Sequence, residues 1–410
     1  MRSTSIAAAI VSMCLGWAPV EASPVTDWHA VAARCVFGGP TPANRGGGPG
    51  YLDMALVQIA VHDAVQAIQG RFEPYRYTNP AMRGAGSVEA AAAGAAYRVL
   101  TGLPGYGPGD PCLAGVTDPA VTYAGDAGLQ AGLEAAAAIL PLYRPVPGTP
   151  IDFPTGLNAG EWRPPTPSGG SGAYVAFTEP FALLRPSQFR AERQPPLVSE
   201  QYTREFQEVK DYGSATSSWR TPEQTKLATF WASVPPTLNN ALRSLVDQHI
   251  QDLGDQARVL ALANIAAADG QIAAYDSKYH FSFWRPETAI READNDGNPR
   301  TDGDTSWTPF LPTPPYPDYT SGANCLAAAM LTTLQLYFGA DEFQFSITSA
   351  SPGAAQRDYA RFSEVMQEMV DVRILQGIHF RSADEDGRQQ GPRVAHWTFM
   401  KFLRPVGGGS

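Results

Sequence analysis

The sequence predicts a mainly α-helical protein. Three observations carry that expectation. Apolar residues recur at helical spacing over most of the chain, as in the run from Tyr51 to Gln69. Several of these runs are alanine-rich, which favours helix and lets helices approach closely. Stretches with the two-residue alternation of a half-buried strand are few. With 410 residues the chain is long enough to bury a large core as one domain or two. Its net charge of −10 argues against nucleic-acid binding, which favours basic surfaces, and makes any local cluster of lysine and arginine more telling.

Taken in order, the chain opens on residues 1–22, which read as a secretory signal. Arg2 is followed by an apolar run from Ile6 to about Val20, with a cleavage site at Val20-Glu21-Ala22. The mature chain is therefore expected to begin near Ser23, to be exported to the periplasm or beyond the cell, and to carry no membrane span. Outside the signal lie Cys35, Cys112 and Cys325. An oxidising compartment permits one disulfide. The pairing is not determined by the sequence; Cys35 with Cys112 is the expected one, because both lie in or beside Gly/Pro-rich segments. Cys325, in an apolar run, is expected as a buried thiol.

A Gly/Pro loop covers residues 37–50, and helix follows over Tyr51–Gln69, stopped by Gly70. His62-Asp63 inside this helix is read as a buried pair held by neighbours. Helices are expected over 87–101 and 121–140. Residues 141–196 are punctuated throughout by proline and glycine, which marks a lid, a surface wrap or a linker. The same stretch gives the expected division into an N-terminal region, 23–196, and a C-terminal region, 197–410. In the latter, helices are expected over 198–211, 222–232, 237–253, 255–277, 322–338, 355–376 and 384–402. Residues 287–320 read as loop. The acidic piece Asp294-Asn295-Asp296-Gly297-Asn298 hints at a calcium loop, but Pro299 and Thr305 stand where such a loop needs glycine and glutamate, so a solvated loop is expected.

Chemistry concentrates in three short blocks. Lys278 and Arg285 lie seven positions apart in Lys278-Tyr279-His280-Phe281-Ser282-Phe283-Trp284-Arg285-Pro286, close to two helical turns. His280 would point away from both at helical spacing. Thr320-Ser321-Gly322-Ala323 opens an apolar helix, and Arg373 precedes His379 by six residues. Arginine offers a planar fork for two oxygens and lysine a point charge. Ser321 can donate from its hydroxyl, and the Gly322 N–H can approach a ligand closely at a helix start, where free N–H groups and the helix dipole favour anions. The set is equipped to hold a tetrahedral oxyanion.

In order and spacing the blocks resemble the K-x6-R-P, P-S-G-H and S-R-x5-H-x3-D pattern of the vanadium-dependent haloperoxidase and type-2 phosphatidic acid phosphatase superfamily, and within it the soluble bacterial haloperoxidases. The resemblance covers about the last third of the chain. It implies a helical-bundle haloperoxidase-like fold with long Pro/Gly-rich loops. It also implies an oxyanion site of Lys278, Arg285, Ser321, Gly322 and Arg373, with His379 as the residue that coordinates vanadium or attacks phosphorus. Vanadate is the implied cofactor, with phosphate as an alternative occupant. Tyr316 falls where the resemblance places an aromatic residue near the halide; a tyrosine packed among prolines is the plainer reading.

The pattern is broken at Thr320, at Val372 and, more consequentially, at Ala323, which replaces the acid–base histidine. The acidic residue expected four positions past His379 is Ala383, with Asp384 one position late. The implied activity is halide oxidation by hydrogen peroxide. The alternatives are an exported acid phosphatase using a phosphohistidine on His379, and an anion-binding member without turnover.

Overall fold

The longest helix is almost wholly buried, because its sequence is apolar or small on every face. This helix, α9 (Leu253–Phe281), is capped by Asp252, whose side chain accepts the N–H groups of Gly254 and Asp255. Its few polar side chains act as pins. Asp269 accepts the backbone N–H groups of Phe181, Ala182 and Leu183 at 2.7–2.9 Å, and Gln271 donates to the Gly322 carbonyl at 2.7 Å. The computed structural model describes residues 23–38, 47–145, 147–167, 169–353 and 355–407; the expected signal segment lies outside them.

Before α9 come, in chain order, α1 (Pro24–Phe37), α2 (Tyr51–Gln69), α3 (Val88–Gly102), the short α4 (Pro119–Thr122), α5 (Ala127–Ile139), α6 (Glu200–Tyr212), α7 (Pro222–Phe230) and α8 (Val234–His249); of these α1, α2 and α8 pack on α9, and α3 and α5 pack on α2. After α9 come α10 (Pro286–Arg291), α11 (Gly322–Phe338), strands β1 (Glu342–Thr348) and β2 (Gln356–Arg361), α12 (Phe362–Leu375) and α13 (Arg381–Lys401). The main hydrophobic cluster runs without a break from α1 and α2 through α9 to α11 and α12. No helix among the described residues is long and apolar enough to cross a membrane.

Several expectations need correction. The helix expected over 121–140 is broken at residues 123–126, where Gly125 takes φ +81 and Asp126 recaps the chain as α5. That over 355–376 begins instead as β2, which pairs antiparallel with β1. The alternation of Phe345 and Ile347 inward against exposed neighbours is the strand signal. Helix α1, starting at a Ser23–Thr26 capping box, and the single-turn α10 were not anticipated. The acidic loop is solvated only in part: Asp294, Asn295 and Gly297 are exposed, but Asp296 and Asn298 are buried, and Asp296 accepts from the Asn298 N–H and the Thr301 hydroxyl at 2.7 Å each.

Other features match the reading. Cys35 and Cys112 form a disulfide joining α1 to the segment after α3, and Cys325 is a buried free thiol. His62 is buried with Nε2 3.0 Å from the Glu73 carbonyl, and the Asp63 carboxyl accepts three backbone N–H groups, from Tyr75, Arg76 and Tyr77. The close crossing of α11 over α13 depends on Gly391, since a Cβ there would stand 2.5 Å from the Cys325 carbonyl oxygen.

Candidate functional site

The lysine and arginine of the first block converge, but not as one helical face. Lys278 lies in the last turn of α9, which ends at Ser282 in a left-handed conformation (φ 42). The chain then runs extended to Arg285, which caps α10, with Pro286 at the favoured first helical position. The long loop holds this reversal in place: the Trp162 N–H donates to the Ser282 carbonyl at 2.8 Å and the Trp284 N–H to Gly160 at 3.0 Å. His280, as expected, faces elsewhere, with Nδ1 3.2 Å from Arg190.

Both cations are buried and anchored on the proline-rich segment before the second block. The Lys278 ammonium donates to the carbonyls of Pro317 (2.8 Å) and Asp318 (2.9 Å), which leaves one of its three donors. Arg285 donates from Nε to the Tyr316 carbonyl (2.8 Å) and from Nη1 to the Ile378 carbonyl (2.5 Å). The Tyr316 ring faces both, 5.2 Å from the Lys278 nitrogen and 5.0 Å from the Arg285 guanidinium carbon. Such contacts favour the charged forms.

The third block arrives from the turn between α12 and α13. Gly377 takes φ +78 there, and a Cβ would stand 2.3 Å from the Gly213 carbonyl oxygen, so the turn that presents His379 requires glycine. Arg373 is held by Gln376, whose Oε1 accepts from Nη1 at 2.7 Å. Arg285 Nη1 lies 3.2 Å from His379 Nε2 and 3.4 Å from Nδ1.

These pieces enclose a cavity of ≈ 140 Å3 walled by Lys278, Tyr316, Gly322, Ala323, Arg373 and His379. Arg285 and Ser321 are not on its wall. The Ser321 hydroxyl is turned to Asn324, whose Nδ2 lies 3.2 Å from it and donates to Asp384 at 2.8 Å. Asn324 is thereby committed to Asp384. Gly47, Gly48, Gln271 and Tyr275 also line the cavity, and none was singled out from the sequence. A second cavity of ≈ 580 Å3 shares Gly47, Gly48, Tyr275 and Tyr316 with the first. Pro147, Ile151 and Tyr174 of the long loop line it, so this loop shapes the space next to the site.

Buried polar atoms of both kinds stand unpartnered here among the described residues, the two carboxylate oxygens of Asp318 among the acceptors. Arg285 Nη2 and Arg373 Nε are buried and have no hydrogen-bond partner among the described residues. Buried N–H groups are rarely left so. Burial lowers the pKa values of Arg285 and Arg373. It also drives Lys278 well below its ordinary value, with Arg285 as the next cause. His379 is held well below 6.5 by burial and then by Arg285, Lys278 and Arg373, so its imidazole is neutral near pH 7. An anion would relieve that repulsion and take up the free N–H groups. The residues present therefore fit a tetrahedral oxyanion.

One residue was missed. The Asp318 carboxylate lies 2.8 Å from His379 Nδ1 and 3.6 Å from Arg285 Nη1. Burial pushes its pKa up to about 7, against Arg285 and Lys278, which pull it down. Its signal in the sequence was an acidic residue between Pro317 and Tyr319, three positions before Ser321. Ala383, where the pattern places the acidic residue, offers only its carbonyl, which accepts from the Ser321 N–H at 2.8 Å.

Fold and site together define a helical protein with a buried, cation-lined pocket. Residues 258–408 match the family described as the VCPO second helical-bundle domain. The chain is 28% identical over 152 residues to the vanadium chloroperoxidase of Curvularia inaequalis, an overlap that covers 30% of this chain and 24% of that enzyme. Among solved structures it resembles a bacterial vanadium-dependent iodoperoxidase (TM-score 0.73, 21% identity, 95% of this chain and 98% of that one). It also resembles an apo-type bacterial vanadium-dependent chloroperoxidase (TM-score 0.69, 17% identity, 88% and 94%). These likenesses support the vanadium-dependent haloperoxidase superfamily for the helical bundle over residues 258–408, and the overlap with the Curvularia enzyme spans about a quarter of that enzyme's length.

Proposed function

We propose that this protein is a vanadate-dependent haloperoxidase that oxidises a halide with hydrogen peroxide. The observation that carries the reading is the convergence of the buried cations Lys278, Arg285 and Arg373 on a neutral His379 imidazole beside a pocket of ≈ 140 Å3, with Arg285 Nη2 and Arg373 Nε lacking a partner among the described residues. Lys278, Arg285 and Arg373 would compensate the charge of vanadate, the Gly322 N–H at the start of α11 would donate to it, and His379 would hold it through a ring nitrogen. Bound vanadate would supply the activation of peroxide. The protein contributes burial, which strengthens each charge–charge interaction, and a ready-made donor set that needs no rearrangement. Tyr316 is proposed to border the halide, since its ring lies over Lys278 and Arg285. The larger cavity beside it would be the route by which peroxide and halide enter. Export of the mature chain is proposed on the same footing.

Ala323 favours a second reading. It lies on the wall but cannot transfer a proton, and Asn324 beside it is engaged with Asp384. A pocket of this kind can bind phosphate or vanadate with slow turnover or none. The deciding experiment assays the full-length protein with and without vanadate, for peroxide-dependent oxidation of iodide and bromide and for hydrolysis of an aryl phosphate. Vanadate-dependent halide oxidation supports the first reading. Ester hydrolysis without vanadate would replace it with a phosphatase acting through His379, and binding without either activity would leave the anion-binding reading.

A further inference from the structure

We propose that Gln271 makes the pocket selective for oxyanions that carry a hydroxyl, such as phosphate and vanadate, over those that carry none, such as sulfate. This rests on the reading of the pocket as an oxyanion site. Gln271 and Lys278 lie seven residues apart on α9, close to two turns, and both line the ≈ 140 Å3 cavity. Gln271 is buried, and its carboxamide has one defined orientation. Nε2 donates to the Gly322 carbonyl at 2.7 Å. A carbonyl only accepts, so the nitrogen must take that side and the oxygen the other.

Oε1 lies between two glycines of the cavity wall. A Cβ on Gly322 would stand 3.1 Å from it, and a Cβ on Gly48 would overlap it. No hydrogen bond reaches Oε1 from the described residues, yet it is not one of the sealed interior atoms left without a partner. It is therefore open to the cavity that its residue lines. The charged groups on that wall, Lys278 and Arg373, only donate and attract any tetrahedral anion. The Tyr275 and Tyr316 hydroxyls can donate or accept, so they do not discriminate. A ring nitrogen of His379 is assigned to the central atom. Oε1 only accepts. Against an oxygen without hydrogen it sets lone pair to lone pair; against an O–H it takes a hydrogen bond. Every oxygen of sulfate is of the first kind, whereas phosphate keeps an O–H even as its dianion. The pocket thus joins charge for the anion to a fixed acceptor for its proton, and a site with a committed polar group rejects the ligand that cannot match it.

The test is calorimetric titration of the full-length protein with inorganic phosphate and with sulfate, in mildly alkaline buffer where both are chiefly dianions. Sulfate should bind the parent about 10–100-fold more weakly than phosphate, the range for one unmatched buried polar group. Gln271→Met keeps the length of the side chain and removes the acceptor. It should bring phosphate affinity down toward that of sulfate, with sulfate unchanged or tighter. Gly48→Ala reaches the same oxygen from the other side, displacing the carboxamide while leaving every cation in place, and should also narrow the preference. Equal binding of the two anions by the parent overturns the proposal. So does an equal loss of both in Gln271→Met, because the residue then only supports the wall. Should that variant fail to fold, a preference left intact by Gly48→Ala overturns the proposal in the same way. Failure of the underlying reading looks different: the parent would then bind neither anion, and the proposal would fall with it.

Discussion

Replacing Arg373 by alanine separates an anion pocket from a set of structural cations. Arg373 is buried, its Nε has no partner among the described residues, and its one hydrogen bond goes to Gln376 at 2.7 Å. If the guanidinium is there for an anion, its removal deletes a charge-assisted donor, worth about 1.5–3 kcal/mol or roughly 10–100-fold in affinity. The protein without anion loses the Gln376 contact but also sheds repulsion toward Lys278 and Arg285, so these terms oppose. The anion-dependent part is cleaner. At a phosphate or vanadate concentration of 100 times the parent Kd, binding stabilises the parent by about 2.7 kcal/mol. At the same concentration the variant, with a Kd raised 10–100-fold, gains only about 1.4 to 0.4 kcal/mol by the same relation. Urea unfolding with and without the anion, beside calorimetric titration of both proteins, measures these quantities. An equal anion-induced stabilisation in parent and variant would refute the pocket assignment of Arg373. Absence of any stabilisation in the parent would refute the pocket itself.

Ala323→His should raise halide oxidation by about 10²–10⁴-fold, the range of a restored acid–base group, while shifting vanadate affinity only a few-fold; a parent already as active as the variant would show that another group moves the proton. His62 is buried and held at about 4 by burial, with the Glu73 carbonyl opposing and Arg258 adding to the effect. The unfolded chain takes up a proton near 6.5 that the folded chain refuses, so the stabilisation is complete above that pH and is lost as pH falls toward 4. At about 1.4 kcal/mol per pH unit, the drop from 6.5 to about 4 costs about 3 kcal/mol. Asp63 and Asp269, raised to about 6 mainly by burial, act in the opposite sense, so the check is a smaller loss between pH 7 and pH 4 in His62→Gln than in the parent, by chemical unfolding. Removing the Cys35–Cys112 bridge with a double serine substitution should cost about 4 kcal/mol, from the loop entropy of its 77-residue separation, read as the shift in unfolding free energy under non-reducing conditions.

Helical character was legible in the sequence because it is local: a stripe of apolar side chains and a stop such as Gly70 act within a few residues of where they are read. The helix Gly322–Phe338 is found where its sequence places it. Strand β2 was read as part of a helix and β1 was not assigned, since short segments carry little periodicity and the pairing of Phe345 with Tyr359 is a contact between chain segments. The three blocks were likewise legible, because fixed spacings survive in a linear string. How they meet was not.

Seven-residue spacing suggested one helical face for Lys278 and Arg285, whereas the left-handed Ser282 ends the helix and two hydrogen bonds from the long loop hold the turn that brings Arg285 back. The placement of Asp318 against His379, of Tyr316 over two cations and of Gly47–Gly48 and Gln271 on the pocket wall depends on segments far apart in the chain. So does the lowered pKa of His379, which follows from burial beside three cations drawn from two of the blocks. Residue type and spacing alone determined which donors this protein could offer to an anion. Only packing decided which of those donors are left without a partner, because desolvation and hydrogen-bond satisfaction belong to the folded neighbourhood and not to the residue.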